Sequence, residues 1–361
     1  MFYKDTLMWK EISETPDTFV NEIKANSSVI SKLVSEIKAV KATNFIAAGR
    51  GTSDHALIYF KYVLESISPY TVGLAAPSVV TMYDGKSNYG DSIVIGCSQS
   101  GKAADVIEVI KRANSQGAIT VAVTNDAESP LAKEAKYHLF CAAGEEKSVA
   151  ATKTFSAQLF NLLWFAAALV DNRKLLSDVK NLSETIKSVI PEIDALTTEY
   201  AEKFEYMKNG FVLSRGITYP IALEATLKLQ ETCYIQMKGY AGSDFYHGPM
   251  AMVNENTPVF IYCAKSIVSA KSAELVKADQ KKCIDKMLEL KAPVLVITND
   301  KSLAEEYTGA TNVAYFDFEH GEEITMFAFA LFAQMIACKI SCGIGNNPDS
   351  PRALNKVTIT K

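Results

Sequence analysis

Two stretches of this chain end in the same three residues. "AITVAVTND" begins at Ala118 and "APVLVITND" at Ala292, so Thr124 and Thr298 stand 174 residues apart. Upstream of each, an apolar run leads into Arg-Gly: "NFIAAGRGTSDHAL" from Asn44 and "GFVLSRGITYPIAL" from Gly210. Arg50 and Arg215 are 165 residues apart. Self-similarity of this kind commits the chain to a duplicated architecture, and 361 residues is enough chain for two domains. The repeated unit reads as α/β. Asn44 to Gly49, Ser92 to Ser98 and the run from Ala118 are continuous apolar strands separated by amphipathic helical patterns, and Gly117 is placed to end one helix. Strands without polar alternation are buried on both faces, which means a parallel sheet between helices, with right-handed crossovers.

The expected division is a helical lead-in over 1–41, a first domain over 42–175, a second over 176–345 that includes a polar linking helix, and a polar tail over 346–361. With 48% apolar and 22% charged residues and a net charge of −4, nothing favours nucleic acid or a membrane surface as partner. The N-terminus has no signal-peptide core, and no run reaches spanning length; "LFNLLWFAAALV" from Leu159 is too short. Seven cysteines without CxxC spacing fit reduced thiols and a cytoplasmic setting. Cys338 and Cys342 stand four apart with no His or Cys cluster beside them, so core packing is favoured and no metal or cofactor is expected.

Ligands of parallel α/β sheets sit beyond the C-terminal strand ends, where helix N-termini attract anions. "GRGTS" (Gly49 to Ser53) and "SQSGKAAD" (Ser98 to Asp105) both fit that position, though neither is a Walker A or GxGxxG pattern. Their hydroxyls are also ordinary helix caps. "AAGEEKSVAATKTFSAQ" (Ala142 to Gln158) is rich in small residues and suits close approach to a ligand, or is a plain helix entry with a charged turn. The helix "YPIALEATLKLQETCYIQ" carries Glu224, Lys228 and Glu231 on one stripe among apolar residues. Periodicity alone reads this as an internal salt-bridge ladder. His247, in "SDFYHGPMAM", reads as a turn or capping residue that gains interest from its nearness to that helix.

Taken together, "GRGTS", "SQSGKAAD", "VAATKTFSAQ", "SRGITYPIALEATLKLQETCYI", "HGPMAMV" and "PRALNKVTI", in this order and at these separations, resemble the isomerase half of the glutamine:fructose-6-phosphate amidotransferases, a pair of SIS (sugar isomerase) domains. The resemblance covers nearly the whole chain. It implies an α/β fold of two tandem SIS domains, each a flavodoxin-like parallel-sheet sandwich, without the glutaminase half. It implies that Gly51, Thr52, Ser53, Ser98, Gln99 and Ser100, with Val149 and Ala151, hold a sugar phosphate. Glu231 matches the base that moves a proton between C1 and C2. Glu224 and Lys228 match its charged neighbours, and Lys356 matches a lysine that closes over the open-chain sugar. His247 matches a ring-opening residue supplied by the partner of a homodimer with shared active sites.

The chain also departs from the pattern. Ala103 replaces a phosphate-loop threonine, Ala151 a serine, Arg50 a cysteine and Lys238 an acidic residue. The resemblance leaves three readings open: deamination and isomerisation of glucosamine 6-phosphate to fructose 6-phosphate and ammonia, a deglycase of fructosamine 6-phosphates, or a non-catalytic sugar-phosphate sensor. Retention of Glu231, His247 and Lys356 weighs against the sensor, which needs phosphate contacts but no base.

Overall fold

The computed structural model describes residues 1–40 and 42–356; the "VTITK" end of the expected tail lies outside them. The chain forms two compact units. One, here the N-terminal unit, comprises Ser13–Lys147, Ala151–Glu184 and the chain from Ala353. The other, the C-terminal unit, comprises Met1–Ile12, Ser148–Ala150 and Thr185–Arg352.

The N-terminal unit holds strands β1 (Asn44–Ala48), β2 (Thr71–Leu74), β3 (Ile93–Cys97), β4 (Ile119–Thr124) and β5 (Tyr137–Phe140) in the order β2-β1-β3-β4-β5. The C-terminal unit holds β6 (Asn209–Ser214), β7 (Gln236–Ala241), β8 (Val259–Cys263), β9 (Val294–Thr298) and β10 (Asn312–Tyr315) in the order β10-β9-β8-β6-β7. Every pairing is parallel. Each sheet starts in its interior, steps once to an edge, and then crosses back and builds outward three times. The duplication read from the sequence is therefore a duplication of topology. All residues of β3, β4, β8 and β9 are buried, which is why these strands are apolar throughout.

Helices α1 (Thr15–Ala39), α2 (Thr52–Ile67), α3 (Ala104–Ser115) and α4 (Lys153–Leu169) cover the first sheet. α5 (Arg173–Phe204) runs from one unit into the other. α6 (Tyr219–Cys233), α7 (Ala270–Glu289) and α8 (Glu322–Gly343) belong to the second. α6 opens with Pro220 in its first turn, where the missing N–H costs nothing. Gly117 ends α3 at φ 80°, as its position predicts.

The expectation that no run reaches spanning length is corrected by α8. It is 22 residues long, and its most apolar 18-residue stretch has a mean hydropathy of 1.7, enough by length and composition to cross a membrane. Its most apolar stretch is wholly buried within the protein, and it packs along α6 as the central helix of its unit. A helix apolar all round is what such a position demands. Cys338 and Cys342 lie on it, and all seven cysteines are free and buried.

Candidate active site

In the N-terminal unit, Gly51 carries the turn from β1 into α2 with φ 52°, a left-handed backbone that suits glycine. Thr52 opens α2, and the buried hydroxyl of Ser53 accepts a bond from Gln158 Nε2 at 3.0 Å. The next crossover places Ser98, Gln99 and Ser100 directly after β3. Ser98 is buried and Gln99 and Ser100 half-buried. Backbone bonds fix the loop: Ser98 N donates to Val123 O, Gly101 N to Ser98 O, and Asn125 N to Gln99 O. Gly101 has φ 61°, and a Cβ there would lie 2.1 Å from Ser129 Oγ, so this turn admits no side chain. α3 begins after Ala103 with no side-chain cap. Both loops thus stand at the C-terminal ends of adjacent strands, each at a helix N-terminus, as an anion site requires.

The residue that sequence reading missed is Glu146. Of the two glutamates in the "GEEK" turn, Glu145 is exposed and Glu146 buried. The Glu146 carboxylate accepts bonds from Thr152 N (2.9 Å), Thr154 N (3.1 Å) and Thr154 Oγ1 (2.7 Å) at the start of α4. Lys356 Nζ donates to its Oε2 at 2.7 Å. Burial alone would raise its pKa. The ammonium of Lys356 and these donors overcome that and hold the carboxyl below the ordinary range. The anion position at this helix start is therefore filled by the chain's own carboxylate, and the tail lysine is docked on it. Ala151 lies in this loop. Val149 groups with the C-terminal unit, where its N–H donates to Asp349 O.

In the C-terminal unit the charged stripe of α6 is real. Lys228 Nζ lies 3.4 Å from Glu224 Oε1 and 2.6 Å from Glu231 Oε2. Glu224 and Lys228 are completely buried, whereas the Glu231 side chain is 21% exposed. Its Oε2 is sealed against Lys228, so the accessible part lies elsewhere on the side chain. A buried ion pair adds little net stability over well-packed apolar residues, because desolvation consumes most of the attraction. Stability therefore does not explain why these charges occupy an interior helix. Glu231 sits in the last turn of α6, at the end of the unit where β6 and β7 begin. A cavity of about 810 Å³ in this unit is lined by Phe211, Ile235, Met237, Gln230, Lys238 and Arg352; its lining takes in Gln230 but not Glu231. His247 is exposed, in the turn after the short helix Gly242–Phe245; its N–H bonds to Asp244 O. Its ring makes no hydrogen bond or ion pair among the described residues.

The SIS domain profile matches this chain twice, over residues 40–168 and 205–341. The glutamine–fructose-6-phosphate aminotransferase (isomerizing) of Sulfurisphaera tokodaii is 29% identical across 98% of this chain, which spans 56% of that protein. The same enzyme of Aquifex aeolicus is 32% identical across 98%, of which the chain spans 57%. The chain thus spans little more than half the length of these relatives. The solved C-terminal domain of the glucosamine-fructose-6-phosphate aminotransferase of Francisella tularensis has the same fold, with a TM-score of 0.83 at 24% identity over 96% of this chain and 99% of that one. With each matched segment holding one five-stranded parallel sheet, the chain belongs to the SIS domain family and carries two copies of the domain in tandem.

Proposed function

We propose that the protein is a phosphosugar isomerase that deaminates glucosamine 6-phosphate to fructose 6-phosphate and ammonia, working as a cytoplasmic homodimer with shared sites. One observation carries the reading. Glu231 is a partly accessible carboxylate clamped by a fully buried lysine, itself balanced by a second buried carboxylate. A single base that takes a proton from one carbon and returns it to the next needs a fixed orientation and partial shielding from water. Lys228 supplies the orientation, and Glu224 keeps the lysine from being an unbalanced buried charge.

In the proposed reaction the phosphate rests on the loops of Gly51, Thr52 and Ser53 and of Ser98, Gln99 and Ser100. His247 of a second copy protonates the ring oxygen as the sugar opens. Glu231 removes the C2 proton and delivers it to C1. The resulting C2 imine adds water and releases ammonia, so one water is consumed for each ammonia formed. Lys356, docked on Glu146, holds the tail over the open-chain sugar, beside Val149 and Ala151.

A panel of phosphorylated sugars, read for ammonia and for amino-acid release, tests this. Ammonia from glucosamine 6-phosphate, with loss of turnover but not of binding in Glu231→Gln, is the expected result. Amino-acid release from a fructosamine 6-phosphate, with glucosamine 6-phosphate inert, would replace the deaminase with a deglycase. Binding without turnover of any member would leave a sensor.

A further inference from the structure

We propose that Arg50 is a phosphate-binding residue, held ready by Asp105. This rests on the phosphosugar reading of the two loops, and it adds to them a ligand of a different chemical kind, a guanidinium among hydroxyls.

Arg50 lies in the turn between β1 and α2, and its Nε donates to Asp105 Oδ2 at 2.7 Å. Asp105 is in the first turn of α3 and is 2% exposed, whereas the Arg50 side chain is 51% exposed. This one bond joins the Gly51–Thr52–Ser53 loop to the helix that follows Ser98–Gln99–Ser100. It uses one of the five guanidinium N–H donors. The four on the two Nη atoms have no protein acceptor among the described residues. A planar donor fork of fixed orientation, half exposed between two helix N-termini, matches the geometry that recognises phosphate oxygens.

The charges around it support the same assignment. The Asp105 carboxylate in the first turn of α3 would oppose a dianion at that helix start; Arg50 cancels it. Asp54, in the first turn of α2, is a carboxyl within electrostatic reach of Arg50. Burial pushes its pKa up, against the opposing pull of His55 and Arg50, which weakens its repulsion. The α3 start has only Ala103 and Ala104 in place of a hydroxyl, so the guanidinium supplies donors that the helix entry lacks.

Titration of the full chain with inorganic phosphate tests this without requiring turnover. Arg50→Gln is expected to weaken phosphate binding about tenfold or more, the worth of a charge-assisted hydrogen bond, and to raise KM for the phosphosugar in parallel while kcat stays within about threefold. Arg50→Gln combined with Asp105→Asn should bind phosphate better than Arg50→Gln alone, because the negative charge in the first turn of α3 is removed as well. Arg50→Lys, which keeps the charge but not the fork, should fall between wild type and Arg50→Gln, and it serves where the glutamine variant does not fold. Unchanged phosphate affinity with a lowered thermal midpoint would make the pair a scaffold and overturn the assignment. Phosphate binding that is lost in Ser98→Ala with Ser100→Ala but unmoved in Arg50→Gln would sink the role of Arg50 alone. No phosphate binding by the wild-type chain would sink the loop reading with it.

Discussion

α2 and α6 fill the same slot in their two sheets, each following the strand that starts its unit. At the 165-residue offset of the Arg-Gly pair, Glu224, Lys228 and Glu231 stand over Tyr59, Val63 and Ser66. Tyr59 and Val63 are fully buried, as Glu224 and Lys228 are. One copy of the fold thus fills these positions with a phenol and an aliphatic side chain, and the other with an ion pair. The slot therefore does not require charge. The loops after β3 and β8 differ in the opposite sense. Ser98, Gln99, Ser100 and Gly101 in the first unit become Ala264, Lys265, Ser266 and Ile267 in the second. The hydroxyl-rich loop belongs to one copy and the charged helix to the other, while the frame common to both is retained. Asn125 and Asn299 each tie the end of one strand to the loop after the next strand, donating to Gly144 O and to Phe318 O. Duplication supplied two equivalent scaffolds, and each carries side chains that the other lacks.

The sharpest way to break that comparison is at Glu231. Glu231→Gln should lower kcat by about 10²–10⁴ with little change in thermal midpoint, whereas Ser66→Ala at the matching position should leave kcat unaffected. Equal and small effects on kcat from both would mean the α6 stripe is scaffolding. Next comes the buried cation. Lys228→Met removes the buried cation beside Glu224 and Glu231 and should cost about 3–5 kcal/mol in denaturant unfolding. Adding Glu224→Leu should recover most of that stability without recovering turnover, bringing α6 towards the apolar filling of α2. A double variant as unstable as the single one would show that the ladder is structural.

A smaller effect is expected at Glu146. Its folded pKa lies below the ordinary carboxyl value of 4.5. Its contribution is therefore present above that value and lost as pH falls through the folded pKa. Glu146→Gln should lower the midpoint at neutral pH, converge with wild type in strong acid, and raise KM by releasing Lys356; superimposable melting curves at pH 7 would contradict this. The smallest effect is at Glu22, completely buried between α1 and α4, where Asn161 Nδ2 donates to its Oε1 at 2.6 Å. Burial holds its pKa well above 4.5, so stability is full below the unfolded value and declines as pH rises above it. Glu22→Gln should leave the midpoint unchanged near pH 4 and raise it progressively towards pH 8. A midpoint lowered at pH 8 would show that the charged form is tolerated.

Read alone, the chain discloses the α/β class, the duplication, the interior strands and the position of two small-residue turns before helices. These rest on short-range signals: an unbroken apolar run is fully buried wherever it occurs, and a small-residue turn before a helix presents N–H groups whatever surrounds it. The edge strands β2, β5 and β10 were not legible, because a strand of four residues with one open side carries no continuous apolar run. α8 is ambiguous in sequence for a related reason: "EITMFAFALFAQMIACKISCG" is apolar on every face, and only the packing around it tells a core helix from a membrane one. Glu145 and Glu146 are chemically identical neighbours in the sequence. Only the folded chain exposes the first and places the second under the N–H groups of α4 and the ammonium of Lys356, 210 residues away. The stripe of α6 was visible as a spacing, but that Lys228 is sealed while Glu231 retains an open face is a fact of burial. Desolvation depends on every side chain that packs around a charge, and those side chains come from all parts of the chain.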